Sequence, residues 1–237
     1  MGEIISSLWV GDRLSAMERL SISSFQRCGH EFHLYVYGEV SGIPDGAVVR
    51  DGNDILPASM IFMYSRQATY AGFSNYFRYK LLLEQGGWWV DLDTVCLKLF
   101  DFPDKYVFSS EVNEGSPHVN CGMLKAPPGS PLMQYLWEEC SRIDPKELTW
   151  GQCGPQLMSR AVESFSLQSH IQPPDVFCPI PFPEWRRMVE PGIPWSFGEE
   201  TRAVHLWNEM WRRHQKDKDG RYDENCLYES LKRQFLD

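Results

Sequence analysis

The sequence predicts an α/β fold with a mostly parallel central sheet flanked by helices, and three observations lead there. The chain opens on a strand, a helix and a second strand, the order that builds a parallel pair through a helical crossover. Trp88 to Val90 is an apolar, aromatic run directly after a helix stop, and Trp88 to Leu92 reads as a central strand buried on both faces. The 237 residues suit one domain with a substantial core, here expected to end in an irregular C-terminal segment.

Each element has a local reason. Ile4 to Val10 is a short apolar run stopped by Gly11-Asp12. Ser15, followed three residues later by Glu18, forms a capping box and predicts a helix to about Gln26. Cys28-Gly29-His30 closes that helix, Phe32 to Tyr37 reads as a strand, and Ala47 to Arg50 as another. Two helices are predicted next, over 59–70 and 74–85, separated near Gly72. In the second, Asn75, Arg78, Tyr79 and Leu82 share one face, while Phe73, Phe77 and Leu81 share another. Gly86-Gly87 ends it before the central strand.

Tyr106 to Glu111 and Val119 to Lys125 read as further strands. Ser130-Pro131 opens a helix to about Ser141, and Gly151 to Pro155 leads into one that reaches about Phe165. The segment 172–194, rich in proline and aromatics, is expected to pack irregularly over the core. Ala203 to Trp207 gives a last strand before a charged, helical tail.

Composition removes some functions. A net charge of −9 offers no general attraction to phosphate backbones, so non-specific nucleic-acid binding is not expected. Arg186-Arg187 and Arg212-Arg213 flank tryptophans and are candidates for peripheral contact with a membrane, although solvated surface charge is the simpler reading. Seven scattered cysteines without a CxxC spacing suggest neither a disulfide framework nor a zinc site, and fit a reducing compartment. Neither a leader-like start nor a membrane-spanning apolar run is read, so the expected location is cytoplasmic, extending to the inner face of the plasma membrane.

The chemistry concentrates at Asp91-Leu92-Asp93. In extended backbone an i, i+2 pair points both side chains the same way. Carboxylates that close repel by roughly 4 kcal/mol at an effective dielectric of about 20. The pair therefore calls for a divalent cation, a sugar or phosphate ligand, or one protonated acid. Its bland alternative is a solvated strand end. For Arg78 the structural reading is an ion pair to Asp91, for Trp9 a core position, and for His205 a satisfied structural histidine.

The double glycine, Asp91-Leu92-Asp93 and the preceding Arg78-Tyr79 resemble the sugar-binding region of metal-dependent, nucleotide-sugar glycosyltransferases of the GT-A type. The likeness is closest to the family 32 group, with its capsular polysaccharide and alpha-1,4-galactosyltransferase-type members. It implies a GT-A-like (Rossmann-like) fold. Residues 1–125 would form the nucleotide-sugar-binding half, and 126–237 the acceptor-side half and tail. It also implies a catalytic set of Asp91, Asp93 and Arg78, with Asp91 on donor hydroxyls and Asp93 on Mn²⁺ or Mg²⁺. His205, in Val-His-Leu-Trp, would join the metal or the diphosphate.

The same resemblance places Trp9 and Gly11 near the nucleobase, and Asn75, Arg78, Tyr79, Asn120, Gly122 and Trp207 around the donor. Asn75 stands where the family commonly has aspartate, a departure that removes a charge. Gln152 would lie near the anomeric carbon. The implied reaction moves a sugar, with retention, from a nucleotide-diphosphate donor, UDP-sugar favoured, to a saccharide or lipid-linked hydroxyl. Two alternatives stand beside it. Trp89 to Val95 also resembles the opening of haloacid-dehalogenase phosphatases, which would make Asp91 a nucleophile. A non-catalytic carbohydrate-binding protein would use the same aromatics and acids.

Overall fold

The six-stranded sheet runs parallel on one side and antiparallel on the other, and that change of direction sets up the site. The computed structural model describes residues 2–64, 67–113 and 115–236. Along the chain come β1 (Ile5–Leu8), α1 (Ala16–Arg27), β2 (Phe32–Val36), β3 (Val48–Asp51), α2 (Ala71–Glu84), β4 (Gly87–Val90), β5 (Thr94–Cys96), β6 (Val107–Asn113) and β7 (Ser116–Ala126). There follow α3 (Pro131–Ser141), α4 (Pro155–Ser164), α5 (Pro174–Phe177), β8 (Ala203–His205), α6 (Asn208–Arg213) and α7 (Leu227–Phe235). The sheet order is β3-β2-β1-β4-β7-β6, with β5 and β8 forming a separate two-stranded ladder. The pairs β3·β2, β2·β1 and β1·β4 are parallel, whereas β4·β7 and β7·β6 are antiparallel.

Strand alternation divides the core between the two faces. Ile5, Phe32, Trp88 and Val90 point toward α1, α7 and the 172–194 segment, while Tyr35, Trp89, Phe108 and Leu124 point toward α2, α3 and α4. Both tryptophans of the central strand are therefore buried, on opposite faces. The capping box of α1 forms as expected: Ser15 caps the helix and Glu18 Oε2 accepts the Ser15 N–H at 2.7 Å. Gly86 and Gly87 both take positive φ, 67° and 84°, which lets α2 turn directly into β4. A Cβ on Gly86 would stand 2.5 Å from the Pro128 backbone nitrogen.

The helix expected over 59–70 does not form. Ala58–Met60 makes one 3₁₀ turn, and Ile61 is already extended. Phe62 lays its ring against Phe73 and Tyr76 of α2, while Tyr64 bridges to Thr69 across a turn in which Ala68 is left-handed. Aromatic packing on α2 thus overrides the helical pattern; residues 65 and 66 of that expectation lie outside the described residues. The 172–194 segment is largely irregular as expected, interrupted by α5 and a 3₁₀ stretch over Phe182–Val189. Arg187 pairs with Glu184, and Arg212 and Arg213 with Glu209, so these basic clusters carry less charge than the sequence suggests. Among the described residues no helix is long and apolar enough to cross a membrane.

Candidate active site

The chain must leave one sheet and enter another between β4 and β5, and the two acids sit on that transfer. Val90 ends β4, the Asp91 carbonyl accepts the Thr94 N–H at 3.1 Å, and Thr94 begins pairing with His205 of β8. This corrects the expectation of an extended pair, because a tight turn carries Asp91 and Asp93. Convergence survives the correction: one ligand atom each from Asp91, Asp93 and His205 lies within 4.8 Å of the others. Two carboxylates and an imidazole are a suitable donor set for a hard or borderline divalent cation.

Asp93 is held from the β8 side. Its Oδ2 lies 3.2 Å from His205 Nε2 and accepts the Asn208 N–H at 2.7 Å, while its carbonyl accepts the Leu206 N–H at 2.7 Å. Burial works to raise the Asp93 carboxyl, but the His205 charge and these hydrogen bonds outweigh it and hold the group below the ordinary carboxylate value. Burial likewise works to lower His205, and the Asp93 charge overrides it, so the imidazole binds its proton well above the usual range. A cation in this group would take the place of that proton. The Thr94 hydroxyl beside it is buried with no hydrogen-bond partner among the described residues.

Asp91 is held from the other side by a distortion in β7. Phe108 pairs with Leu124 and Ser110 with Val119, so extra residues of β7 stand opposite Ser109. The Ser109 hydroxyl satisfies the distorted backbone, donating to the Asn120 carbonyl at 3.2 Å and accepting the Met123 N–H at 3.3 Å. The displaced carbonyls then become anchors. Gly122 O accepts the Asp91 N–H at 2.7 Å, and Cys121 O accepts from Arg78 Nη1. Arg78 is 4% exposed and places Nη2 3.0 Å from Asp91 Oδ1 and 2.9 Å from the Ser74 hydroxyl, with Nε 3.2 Å from Ser74 O. Burial raises the Asp91 carboxyl, and the Arg78 guanidinium partly opposes the rise.

The remaining expected residues divide into those at the centre and those behind it. Asn120 Oδ1 accepts the Gly122 N–H at 2.5 Å. A Cβ on Gly122 would lie 2.8 Å from that oxygen, 3.4 Å from Asp91 Oδ2 and 3.5 Å from His205 Cε1, so Gly122 keeps open the point where these groups meet. Asn75 is buried beneath Gly154, whose added Cβ would stand 3.1 Å from Asn75 Nδ2.

Tyr79 does not face the centre. It is fully buried, and its hydroxyl donates to Cys153 O at 3.0 Å, locking the loop before α4 against α2. Trp207 is buried too, with its indole N–H spent on Ile180 O at 2.8 Å and its ring 4.0 Å from the His205 ring. It supports the histidine. Trp9 follows β1 with its indole N–H unpartnered among the described residues and close to Gly11. Gln152 accepts from Thr149 within its own loop. Ser109 and Glu111 escaped the sequence reading, because a strand distortion leaves no trace in a period of two.

Comparison with known proteins agrees with this geometry. Residues 44–110 match the family described as glycosyltransferase sugar-binding region containing DXD motif, and residues 128–235 the alpha 1,4-glycosyltransferase conserved region. Human alpha-1,4-N-acetylglucosaminyltransferase is 26% identical over 174 residues, covering 66% of this chain and 47% of that protein. The chain thus spans about half the length of this curated relative. Among solved structures, PaToxG Glycosyltransferase superposes with a TM-score of 0.54 at 16% identity over 70% of each chain, a likeness of fold. These matches set aside the dehalogenase-type reading of Asp91. The chain belongs to the glycosyltransferases with a DXD sugar-binding region, in the family 32-like group that carries the alpha-1,4-glycosyltransferase conserved region.

Proposed function

We propose that this chain transfers a sugar from a nucleotide-diphosphate donor, UDP-sugar foremost, to a hydroxyl of a saccharide or glycolipid, forming an α1,4 linkage with retention. The observation that carries the reading is the meeting of Asp91, Asp93 and His205 at the carboxyl ends of the parallel strands. There β1 has β2 on one side and β4 on the other, a reversal of strand order of the kind beside which α/β sheets bind nucleotides. Asp93 and His205 would hold Mn²⁺ or Mg²⁺, with Asp91 at the same group. Such an ion would neutralise charge on the departing diphosphate.

The chain's own groups do the positioning. Arg78 spends its fork on Asp91, Ser74 and Cys121, so its part is to fix Asp91 for a donor hydroxyl. Trp9, half-buried just after β1, would offer its ring, not its buried indole N–H, to the nucleobase. The 1–125 half would carry the donor and the 126–237 half would approach the acceptor. The test is nucleotide release from UDP- and GDP-sugars, with and without Mn²⁺. Release that requires the metal is expected, and metal-independent phosphate release from a simple phosphomonoester would contradict the reading.

A further inference from the structure

Glu111 of β6 lies beside the centre and has no part in the assignments above. It is half-buried, yet among the described residues it forms no salt bridge. Its one hydrogen bond among them is to Oε2, which accepts from Asn120 Nδ2 at 3.1 Å. A carboxylate can only accept, so it turns the Asn120 NH₂ toward itself and leaves Asn120 Oδ1 for the Gly122 N–H. Glu111 is thereby joined through one amide to the point where Asp91 and His205 meet beside Gly122. Oε1 is left without a protein donor among the described residues. Burial pushes this carboxyl up, and the charge of nearby His205 only partly opposes it, so a hydroxyl-bearing ligand donating to Oε1 would restore hydrogen bonds lost from water.

We infer that Glu111 is a sugar-binding residue, whose Oε1 accepts a hydrogen bond from a hydroxyl of the transferred sugar while Oε2 holds Asn120 in place. This rests on the glycosyltransferase reading of the site and extends it to a residue outside the DXD motif. No bond is made or broken by Glu111. Its effect is on which donor sugar binds, so it acts on the sugar increment and leaves the nucleotide's own affinity alone.

Two substitutions separate the two oxygens. In Glu111→Gln the amide oxygen still accepts from Asn120, but an NH₂ donor replaces the free acceptor; Glu111→Ala removes both. The experiment measures Mn²⁺-dependent binding of UDP, GDP, UDP-glucose, UDP-galactose, UDP-N-acetylglucosamine and GDP-mannose to each form by calorimetry. In the wild type, one nucleotide-sugar should bind more tightly than its bare nucleotide. In Glu111→Gln, bare-nucleotide affinity should stay within about twofold while the sugar increment falls roughly tenfold or more, the scale of a hydrogen bond to a charged group. A Glu111→Gln protein that keeps the full increment, or a wild type with none, overturns the inference and leaves the site's function standing. Absence of nucleotide binding by the wild type overturns both.

Discussion

His205 Nε2 stands 3.2 Å from Asp93 Oδ2 across the β5·β8 ladder, so the end of the chain completes a site begun at its middle. Both side chains are largely buried, which makes each the main compensation for the other's charge. Removing one partner of such a pair typically costs about 3 to 5 kcal/mol. His205→Ala should therefore lower stability on that scale in urea unfolding and also weaken Mn²⁺ binding at least tenfold. A variant that loses metal affinity without loss of stability would show that the ion pair adds nothing to the fold.

The same reasoning applies to Arg78 with more partners at stake. Arg78→Ala leaves Asp91 without its cation and Cys121 O without its donor, and should destabilise by about 3 to 5 kcal/mol. Arg78→Lys keeps the charge but has no planar fork, so Cys121 or Ser74 goes unsatisfied and the loss should be about 1 to 3 kcal/mol. Chemical denaturation of the two variants checks the order. Equal losses would mean that the geometry of the guanidinium is immaterial.

Gly122→Ala tests the open point between the acids. A methyl there meets Asn120 Oδ1 at 2.8 Å and approaches Asp91 Oδ2, with no flexible tail on either side to yield. Metal-dependent nucleotide binding should fall at least tenfold while circular dichroism shows an intact fold. Unchanged binding would move the ligand away from the Asp91 face of Gly122.

Stability should also fall in mild acid, through His30. Its Nε2 accepts the Phe100 N–H at 3.0 Å, which leaves Nδ1 to donate to Glu3 O at 2.9 Å, so the folded protein holds the neutral ring. Burial lowers its pKa below the ordinary 6.5, opposed by the Glu3 carbonyl and charge. Below about pH 6.5 the unfolded chain takes up a proton that the folded one resists, so His30's contribution is complete above that pH and is lost as pH falls. His30→Gln can make both hydrogen bonds without titrating. Its melting temperature should drop less between about pH 7 and about pH 5 than the wild type's; an equal drop would place the acid sensitivity elsewhere.

Much of this was legible in residues. The capping box at Ser15 and Glu18, the double-glycine stop and the apolar run to Val90 each act locally, and each forms where expected. The acids were legible as a pair, but not the turn that joins them, because leaving β4 for β5 is a decision made by β8, far along the chain. The family resemblance places Tyr79 and Trp207 around the donor. In the fold, the Tyr79 hydroxyl donates to Cys153 O and the Trp207 indole N–H to Ile180 O, pairings between distant segments that no local motif encodes. The helix expected from Ser59 onward stops at Ile61, because Phe62 gains more from packing on α2 than from continuing a turn.

The central claim is that Asp93 and His205, with Asp91, form a cation site serving a nucleotide diphosphate. Calorimetric titration of Mn²⁺ into wild type and Asp93→Asn, each in the presence of UDP, tests it most directly. Saturable binding by the wild type and its loss in a folded Asp93→Asn protein is the predicted result. Equal Mn²⁺ affinity in both proteins would contradict it.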